Sequence, residues 1–442
     1  MNNNRTNPRK VLIETYGCQM NVNDSEVVLS ILSTVGFSRT EDAGQASLVL
    51  INTCAIRDNA EQRILGRLDI YRQAKKRNPQ LIVGVLGCMA ERLKEKLLAH
   101  PAVDLVAGPD AYRDLPRLIE ALSESGEKQI NTLLSHEETY GDISPVRMDP
   151  DGVSVYISIM RGCNNVCSYC VVPYTRGAER SRSAESIMRE AREAVEAGCR
   201  EIILLGQNVD SYCCGQTGFA QLLAMVAEIS PEVRVRFSTS HPKDMKDEVL
   251  LTMAKYPNIC KHIHLPVQSG SNSVLERMNR RHTREWYLER VARIREIMPD
   301  CSITTDAIVG FCGESEADFE DTLRLFREVG FDSAFMFQYS ERPGTKAARH
   351  FADDVPPEVK TARLEKLIAL QSALSLESNR RDVGKCFEVL VEGPSKKSES
   401  DLMGRTSQNK ACVFASGGHR KGEYVTVRVD DCTPATLLCS VL

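Results

Sequence analysis

Over residues 9–125 apolar residues come in short runs separated by amphipathic stretches. That alternation predicts strands and helices in turn, and so a parallel sheet. Three of the runs end alike. Val11-Leu12-Ile13 leads to Tyr16-Gly17-Cys18, Leu48-Val49-Leu50-Ile51 leads to Asn52-Thr53-Cys54, and Leu81-Ile82-Val83-Gly84-Val85-Leu86 leads to Gly87-Cys88. Each cysteine lies just past the carboxyl end of a predicted strand, with a helical segment after it. Strands of a parallel sheet point the same way, so these ends share the edge at which open α/β sheets place their ligands. Residues 126–150 are polar and punctuated by Pro and Gly, and read as a linker.

Strand-like runs then recur at 154–159, 202–205, 233–237, 262–266, 302–309 and 333–339, separated by amphipathic stretches such as 184–197 and 316–328. Six such units predict a partial or open (β/α)6 barrel, by analogy with the closed eight-fold barrel. Residues 356–381 read as one long charged helix. Beyond it come short alternating strands, Phe387–Val391, Ala411–Ala415, Tyr424–Val429 and Leu437–Val441, separated by Gly, Ser and Asp turns. They predict a small β-barrel of OB-like type. The expected class is α/β, with an open parallel sheet domain at 9–125, a linker at 126–150, the partial barrel at 151–378 and the β-barrel module at 379–442.

Composition narrows the classes of function. The 442 residues are 42% hydrophobic and 26% charged, as expected of a soluble globular protein. The net charge of −4 gives no global positive field, so any nucleic-acid contact must come from local basic patches. Residues 379–442 carry ten Lys/Arg against eight Asp/Glu, only slightly basic, with Lys396, Lys397, Arg405, Lys410, Arg420 and Lys421 expected in loops as a phosphate-tracking patch. The opening MNNNRTNPRK has no apolar core for a secretory signal, and no run approaches the ~18 apolar residues of a membrane span. The chain is therefore expected in the cytoplasm, with its sixteen cysteines reduced and available to metals.

The sharpest chemistry lies in ISIMRGCNNVCSYCVVPYTRG, where Cys163, Cys167 and Cys170 have the spacing C-x3-C-x2-C. Three thiolates can hold three irons of a [4Fe–4S] cluster, which usually takes four, leaving one iron open to chelate a small molecule and pass it an electron. Zinc would need a fourth ligand and usually shows two paired ligand motifs, and no such pair follows at finger spacing. For Cys18, Cys54 and Cys88, a second cluster stands against the reading of small buried hydrophobes at strand ends. Gln19, Asn21 and Asn52 beside them could bond cluster sulfides or serve as turn formers and caps. The C-x3-C-x2-C loop follows the first barrel strand, which puts it at the barrel mouth. Gly206-Gln207-Asn208, Ser238-Thr239-Ser240-His241-Pro242, Pro266-Val267-Gln268-Ser269-Gly270 and Gly310-Phe311-Cys312-Gly313-Glu314 follow later strands and face the same mouth. Arg161, Arg176, Arg180 and Arg182 read as a solvated charge face or as contacts to polynucleotide phosphates. Cys199, Cys213, Cys214, Cys260, Cys301 and Cys312 have no ligand spacing and read as buried or incidental.

The C-x3-C-x2-C motif resembles the signature of radical S-adenosylmethionine (SAM) enzymes. Over roughly residues 9–442, with all six motif cysteines present, the chain resembles the radical SAM methylthiotransferases. These join a three-cysteine domain, a radical SAM barrel and a C-terminal RNA-binding TRAM module. SIMRGCNNVCSYCVVPYTRGAERSR and YGCQMNVNDSE, with Met160-Arg161 and Gln19-Met20-Asn21 as the discriminating residues, resemble the branch that makes 2-methylthio-N6-isopentenyladenosine in tRNA. The other branches act on a ribosomal-protein aspartate, with an acidic residue where this chain has Arg161, or on threonylcarbamoyladenosine in tRNA.

The resemblance implies two [4Fe–4S] clusters, one on Cys18, Cys54 and Cys88 and one on Cys163, Cys167 and Cys170. It implies SAM at the second, with Gln207, Ser240, Gln268, Ser269 and Gly310 as contacts. Ile308-Val309-Gly310 with Gly313-Glu314 partly matches the family's G-x-I-x-G-x-x-E. One SAM would give a methyl group to sulfur on the N-terminal cluster. The other would yield the 5′-deoxyadenosyl radical that removes hydrogen from C2 of the modified adenosine, position 37, next to the anticodon. The implied partners are the anticodon stem-loop of isopentenylated tRNA and an electron donor such as a flavodoxin or ferredoxin.

Overall fold

In a computed structural model, which describes residues 9–54, 58–238 and 240–442, the chain forms two compact units. The first takes in the chain up to Pro150 together with 160–164 and 171–186, and the second takes in 151–159, 165–170 and 187–442.

The first unit is built on six parallel strands, β1 (Arg9–Tyr16), β2 (Phe37–Arg39), β3 (Leu48–Thr53), β4 (Ile82–Gly87), β5 (Leu105–Ala107) and β6 (Gln129–Asn131), in the order β2-β1-β3-β4-β5-β6. Every residue of β3 is buried, as expected of a strand covered on both faces. One face packs with Val28, Leu32 and Leu118, the other with Ile64, Leu68 and Val103. The register pairs Tyr16 with Thr53 and Thr53 with Gly87, so β1, β3 and β4 end level.

Residues 126–150, read from their polarity as a linker, belong to this unit. Gln129–Asn131 pairs with β5 as its edge strand. Tyr140 is buried with its ring 5.6 Å from that of Tyr112, its hydroxyl donates to the Pro109 carbonyl at 3.0 Å, and Ile143 and Met148 pack on the core. A three-residue edge strand with polar side chains has no apolar alternation to reveal it.

The second unit contains β7 (Ser154–Ser158), β8 (Glu201–Leu205), β9 (Arg234–Ser238), β10 (His262–His264), β11 (Ser302–Val309) and β12 (Ser333–Gln338). They form two parallel half-sheets, β9-β8-β7 and β10-β11-β12, joined through a bridge from Val235 to Ile259. Helices such as Phe219–Ala227, between β8 and β9, and Glu316–Val329, between β11 and β12, connect successive strands of the partial six-stranded barrel, and the long helix Pro357–Arg380 follows β12. Among the described residues no helix is long and apolar enough to cross a membrane.

The C-terminal module is a closed five-stranded barrel of β13 (Cys386–Ser395), β14 (Ser398–Arg405), β15 (Ala411–Ala415), β16 (Tyr424–Cys432) and β17 (Leu437–Val441), ordered β13-β14-β15-β17-β16. The β15–β17 pair is parallel and the others antiparallel, the topology of an OB barrel. Its polar second strand carries little apolar signal, and the sequence reading missed it. The module seats on the amino ends of the larger barrel's strands. Arg234 donates to the carbonyls of Arg405 and Glu388 at 2.7 and 2.8 Å, and Arg236 to those of Thr406 and Ser407 at 2.7 and 3.0 Å. This changes the expected basic patch. Arg405 lies on a strand and pairs with Glu392 at 3.1 Å, and Lys410 pairs with Asp382 at 2.6 Å, while Lys396, Lys397, Arg420 and Lys421 are exposed.

Candidate functional site

The level ends of β1, β3 and β4 bring three thiols together. Cys18 caps the helix Gln19–Ser33, Cys54 follows β3 directly, and Cys88 opens the helix Cys88–Leu93. The turns before Cys18 and Cys88 require glycine. Gly17 has φ +132° and a Cβ there would lie 2.6 Å from the Cβ of Cys54, while Gly87 has φ +89° and its Cβ would meet Asn52 Oδ1 at 2.5 Å and the Thr53 carbonyl at 2.6 Å. Gly87→Ala is therefore expected to cost at least about 2 kcal/mol through the left-handed backbone and this overlap. Urea unfolding of the metal-free chain checks it, and iron retained after reconstitution should fall with it.

The surroundings of the thiols separate them electrically. The hydrogen bond from Cys54, opposed by burial and aided by Arg176, lowers the Cys18 thiol to about 6, whereas burial pushes Cys88 up. Asn21 and Asn52 are fully buried and tie the helix to β3. Asn52 Nδ2 donates to the Asn21 carbonyl and to Ser25 Oγ, both at 2.9 Å, and the Cys18 thiol donates to Asn21 Oδ1 at 3.4 Å.

Arg161, Arg176, Arg180 and Arg182 are neither a solvated face nor exposed phosphate contacts: all four are buried. Arg161 Nη1 and Arg176 Nη2 bind the two oxygens of the buried Asp24 at 2.8 and 2.7 Å, and Arg180 holds Asp110 through two bonds of 3.0 Å. Arg161 also lies over the Tyr140 ring, 4.9 Å from its centroid. Arg182 bonds to Ser186 Oγ at 2.9 Å. Sequence reasoning missed Asp24 and Asp110 as partners. Its available signal was the polar run Asn23-Asp24-Ser25-Glu26 in a helix that buries all four.

The donor set fits a polynuclear anionic group. Three guanidiniums face two carboxylates in this network. Arg176 Nε donates to Cys88 Sγ at 3.2 Å, and its Nη1 is buried without a partner. A three-thiolate iron–sulfur cluster would supply the missing negative charge and sulfur acceptors for the orphaned N–H. Among the described residues no three His, Cys, Asp or Glu side chains are placed to hold a single metal ion.

The unit division falls within the C-x3-C-x2-C motif, with Cys163 in the first unit and Cys167 and Cys170 in the second. In the second unit Ser168 fixes the loop. Its hydroxyl donates to the Arg277 carbonyl at 2.7 Å and its N–H to that of Met278 at 3.0 Å. Tyr169 packs edge-on to Phe311, centroids 6.5 Å apart. The buried Arg280 donates Nη1 to Cys167 Sγ at 3.4 Å and Nη2 to the Pro266 carbonyl at 2.5 Å, and its Nε has no partner. This fits a second anionic group.

The five residues proposed for SAM are placed differently. Gln207 Oε1 and Ser240 Oγ, past the carboxyl ends of β8 and β9, are buried, and among the described residues Gln207 Oε1 has no hydrogen-bond partner while the Ser240 hydroxyl lies by Asp210. Gln268 adopts φ +73° and its backbone bridges to β11. The Ser269 hydroxyl is engaged by Thr322 at 3.3 Å. Gly310 donates its N–H to Glu314 at 2.6 Å and backs onto Lys360, so Glu314, itself paired with Arg363 at 2.8 Å, supports that turn. Cys199, Cys260, Cys301 and Cys312 are buried, while Cys213 is exposed and Cys214 half-buried in a short hairpin.

Burial, reinforced by Asp244 and only partly opposed by the Ser240 hydroxyl, raises the Asp210 carboxyl to about 7. A carboxyl raised on folding stabilises the protonated fold, and that contribution is lost as pH climbs from about 4 through about 7. Asp210→Asn should remove this loss. The thermal midpoint of the variant should exceed the parent's at pH 8 and approach it at pH 5, read by scanning fluorimetry at both.

Profiles of three known families match the chain: the Radical SAM superfamily over 157–326, the uncharacterised protein family UPF0004 over 10–108, and the TRAM domain over 380–442. Among solved structures it is similar to the radical SAM methyltransferase TsrM from Kitasatospora setae, with TM-score 0.59 and 15% identity over 77% of this chain and 75% of that one. It is also similar to the cobalamin-dependent SAM radical enzyme OxsB, with TM-score 0.53 and 16% identity over 81% of this chain and 56% of that one. These two likenesses establish the fold alone. The partial barrel and its matched profile define a radical SAM enzyme, which implies a [4Fe–4S] cluster and SAM.

The finer placement comes from curated relatives named tRNA-2-methylthio-N(6)-dimethylallyladenosine synthase. That of Porphyromonas gingivalis W83 is 56% identical over 441 residues, covering 98% of this chain and 95% of the relative. That of Bacteroides thetaiotaomicron is 57% identical over 434 residues, covering 97% and 95%. The chain belongs to this family of radical SAM methylthiotransferases.

Proposed function

We infer that this enzyme adds a methylthio group at C2 of N6-dimethylallyladenosine in tRNA, at the adenosine next to the anticodon. The observation that carries the reading is identity of 56% with the curated synthases across nearly the whole chain. In this reading the chain has an N-terminal domain at 9–125, whose sheet the segment 126–150 extends through Gln129–Asn131, a radical SAM domain at 151–378 and an RNA-binding module at 379–442. Cys163, Cys167 and Cys170 hold one [4Fe–4S] cluster, and Cys18, Cys54 and Cys88 hold a second. When bound, the first cluster with SAM supplies the one-electron chemistry that removes hydrogen from an inert C–H bond, and the second carries the sulfur to be transferred. Supporting the second cluster are the level strand ends and the orphaned N–H of Arg176.

The chain's own residues prepare the sites. Ser168 clamps the cysteine loop to the segment at 277–278. Gln207 and Ser240 offer buried oxygens to polar groups of SAM, while Gln268, Ser269 and Gly310 contribute backbone at neighbouring strand ends. Lys396, Lys397, Arg420 and Lys421 are exposed for phosphates of the tRNA. The target base must be unstacked, as a single-stranded anticodon loop allows. The electron comes from a donor such as a flavodoxin or ferredoxin, and the reaction takes place in the cytoplasm.

The test is an anaerobic reaction of reconstituted, reduced protein with SAM and isopentenylated tRNA, read by mass spectrometry. A 2-methylthio nucleoside together with 5′-deoxyadenosine and S-adenosylhomocysteine is expected. 5′-Deoxyadenosine with unmodified tRNA, or product on a ribosomal protein or on threonylcarbamoyladenosine tRNA instead, would reject the substrate.

A further inference from the structure

We propose that Arg176 and Arg280 are positioning residues that set the reduction potentials of the two clusters, each as a buried cation donating to one ligand sulfur. The inference rests on the cluster assignments above. The same device occurs twice. In the first unit Arg176 Nε lies 3.2 Å from Cys88 Sγ, and in the second Arg280 Nη1 lies 3.4 Å from Cys167 Sγ. Both side chains are buried, and each keeps one further N–H without a partner, Nη1 in Arg176 and Nε in Arg280. A buried guanidinium is costly without a counter-charge, and since Arg176 has only a shared carboxylate and Arg280 none among the described residues, both sites favour a further anion.

The two environments differ in a way that ranks them. Arg176 shares Asp24 with Arg161. Among the described residues the Arg280 guanidinium has no carboxylate partner, and its hydrogen bonds go to Cys167 Sγ and the Pro266 carbonyl. Among the described residues the Cys167 sulfur is thus the one thiol that the Arg280 guanidinium donates to, with no carboxylate paired to it. Reduction adds one electron, and so one negative charge, to a cluster. Hydrogen bonds to the sulfurs and nearby positive charge favour that state and raise the potential. Removing the cation should lower it, and more at Arg280, where no carboxylate already offsets the charge.

The experiment uses the full-length chain in two backgrounds, each keeping one cluster. Arg280→Gln and Arg280→Lys are made with Cys18, Cys54 and Cys88 replaced by Ala. Arg176→Gln and Arg176→Lys are made with Cys163, Cys167 and Cys170 replaced by Ala. After anaerobic reconstitution, iron is counted and each cluster is titrated against potential, with the reduced form read by electron paramagnetic resonance.

The Gln variants should hold iron, and at the parent's midpoint their reduced-to-oxidised ratio should fall at least about tenfold at Arg280, a one-electron shift of about 59 mV, and less at Arg176. The Lys variants, which keep the charge, should recover most of it. Where a Gln variant loses its cluster, the Lys variant decides: retention near the parent's midpoint supports the inference, and loss in both overturns it. A parent-like midpoint in the Gln variants, or equal shifts with Gln and Lys, also overturns it. Absence of iron from the Cys163/Cys167/Cys170 background before any arginine is changed would instead reject the second cluster, leaving the Arg280 arm to test the inference.

Discussion

Asp24→Ala should destabilise the first unit by about 3–5 kcal/mol, because it strips the buried Arg176 of its carboxylate and leaves the buried Arg161 with Asp110 alone, at 3.8 Å. Asp24 has no exposed surface and binds Arg161 at 2.8 Å and Arg176 at 2.7 Å. Burial pushes its carboxyl up, but the two guanidiniums outweigh that and hold it below the usual carboxylate range. A carboxyl lowered on folding contributes stability above its unfolded value, near pH 4, and loses it as pH falls through the lower folded value. The variant should therefore show its deficit in urea unfolding of metal-free protein at pH 7 and narrow it in acid. A deficit under about 1 kcal/mol at pH 7, the value of an exposed pair, would show that these charges are solvated.

The second large effect separates the two cysteine sets. Replacing Cys54 by Ala should cut 2-methylthio product to below about 1% of the parent, since loss of a supporting partner alone costs up to about a hundredfold at metal sites and this removes a proposed cluster ligand. SAM cleavage to 5′-deoxyadenosine should continue in that variant. Cys167→Ala should abolish both. Cys54 is buried at the end of the innermost strand of its set, between the ends that carry Cys18 and Cys88. Mass spectrometry of nucleosides and SAM products from one reaction reads both outcomes. Undiminished methylthio product from Cys54→Ala would remove this thiol from the transfer chemistry.

Much of this was legible along the chain because it depends on period and spacing. The runs ending at Cys18, Cys54 and Cys88 announce parallel strands, and parallel strands must end on one edge. The six barrel runs and the long helix fall within a residue or two of Ser154–Ser158 through Ser333–Gln338 and of Pro357–Arg380. The failures share a physical cause. Gln129–Asn131 and Ser398–Arg405 are strands held by backbone pairing to a neighbour, and their side chains carry little apolar pattern. Arg161, Arg176 and Arg180 read as a solvated run because a charge is assigned to the surface until its partner is known.

Local periodicity thus determined the order of elements, the three strand-end thiols and the cysteine motif of this protein, since each is set by neighbours in the chain. Tertiary structure decided the partners. Asp24 meets Arg161 and Arg176 across 137 and 152 positions. Arg280 reaches Cys167 across 113, and Arg236 meets the Thr406 carbonyl of the C-terminal barrel across 170. Charge pairing and hydrogen bonding act over a few ångströms in space, so sequence spacing carries no record of them until the chain is folded.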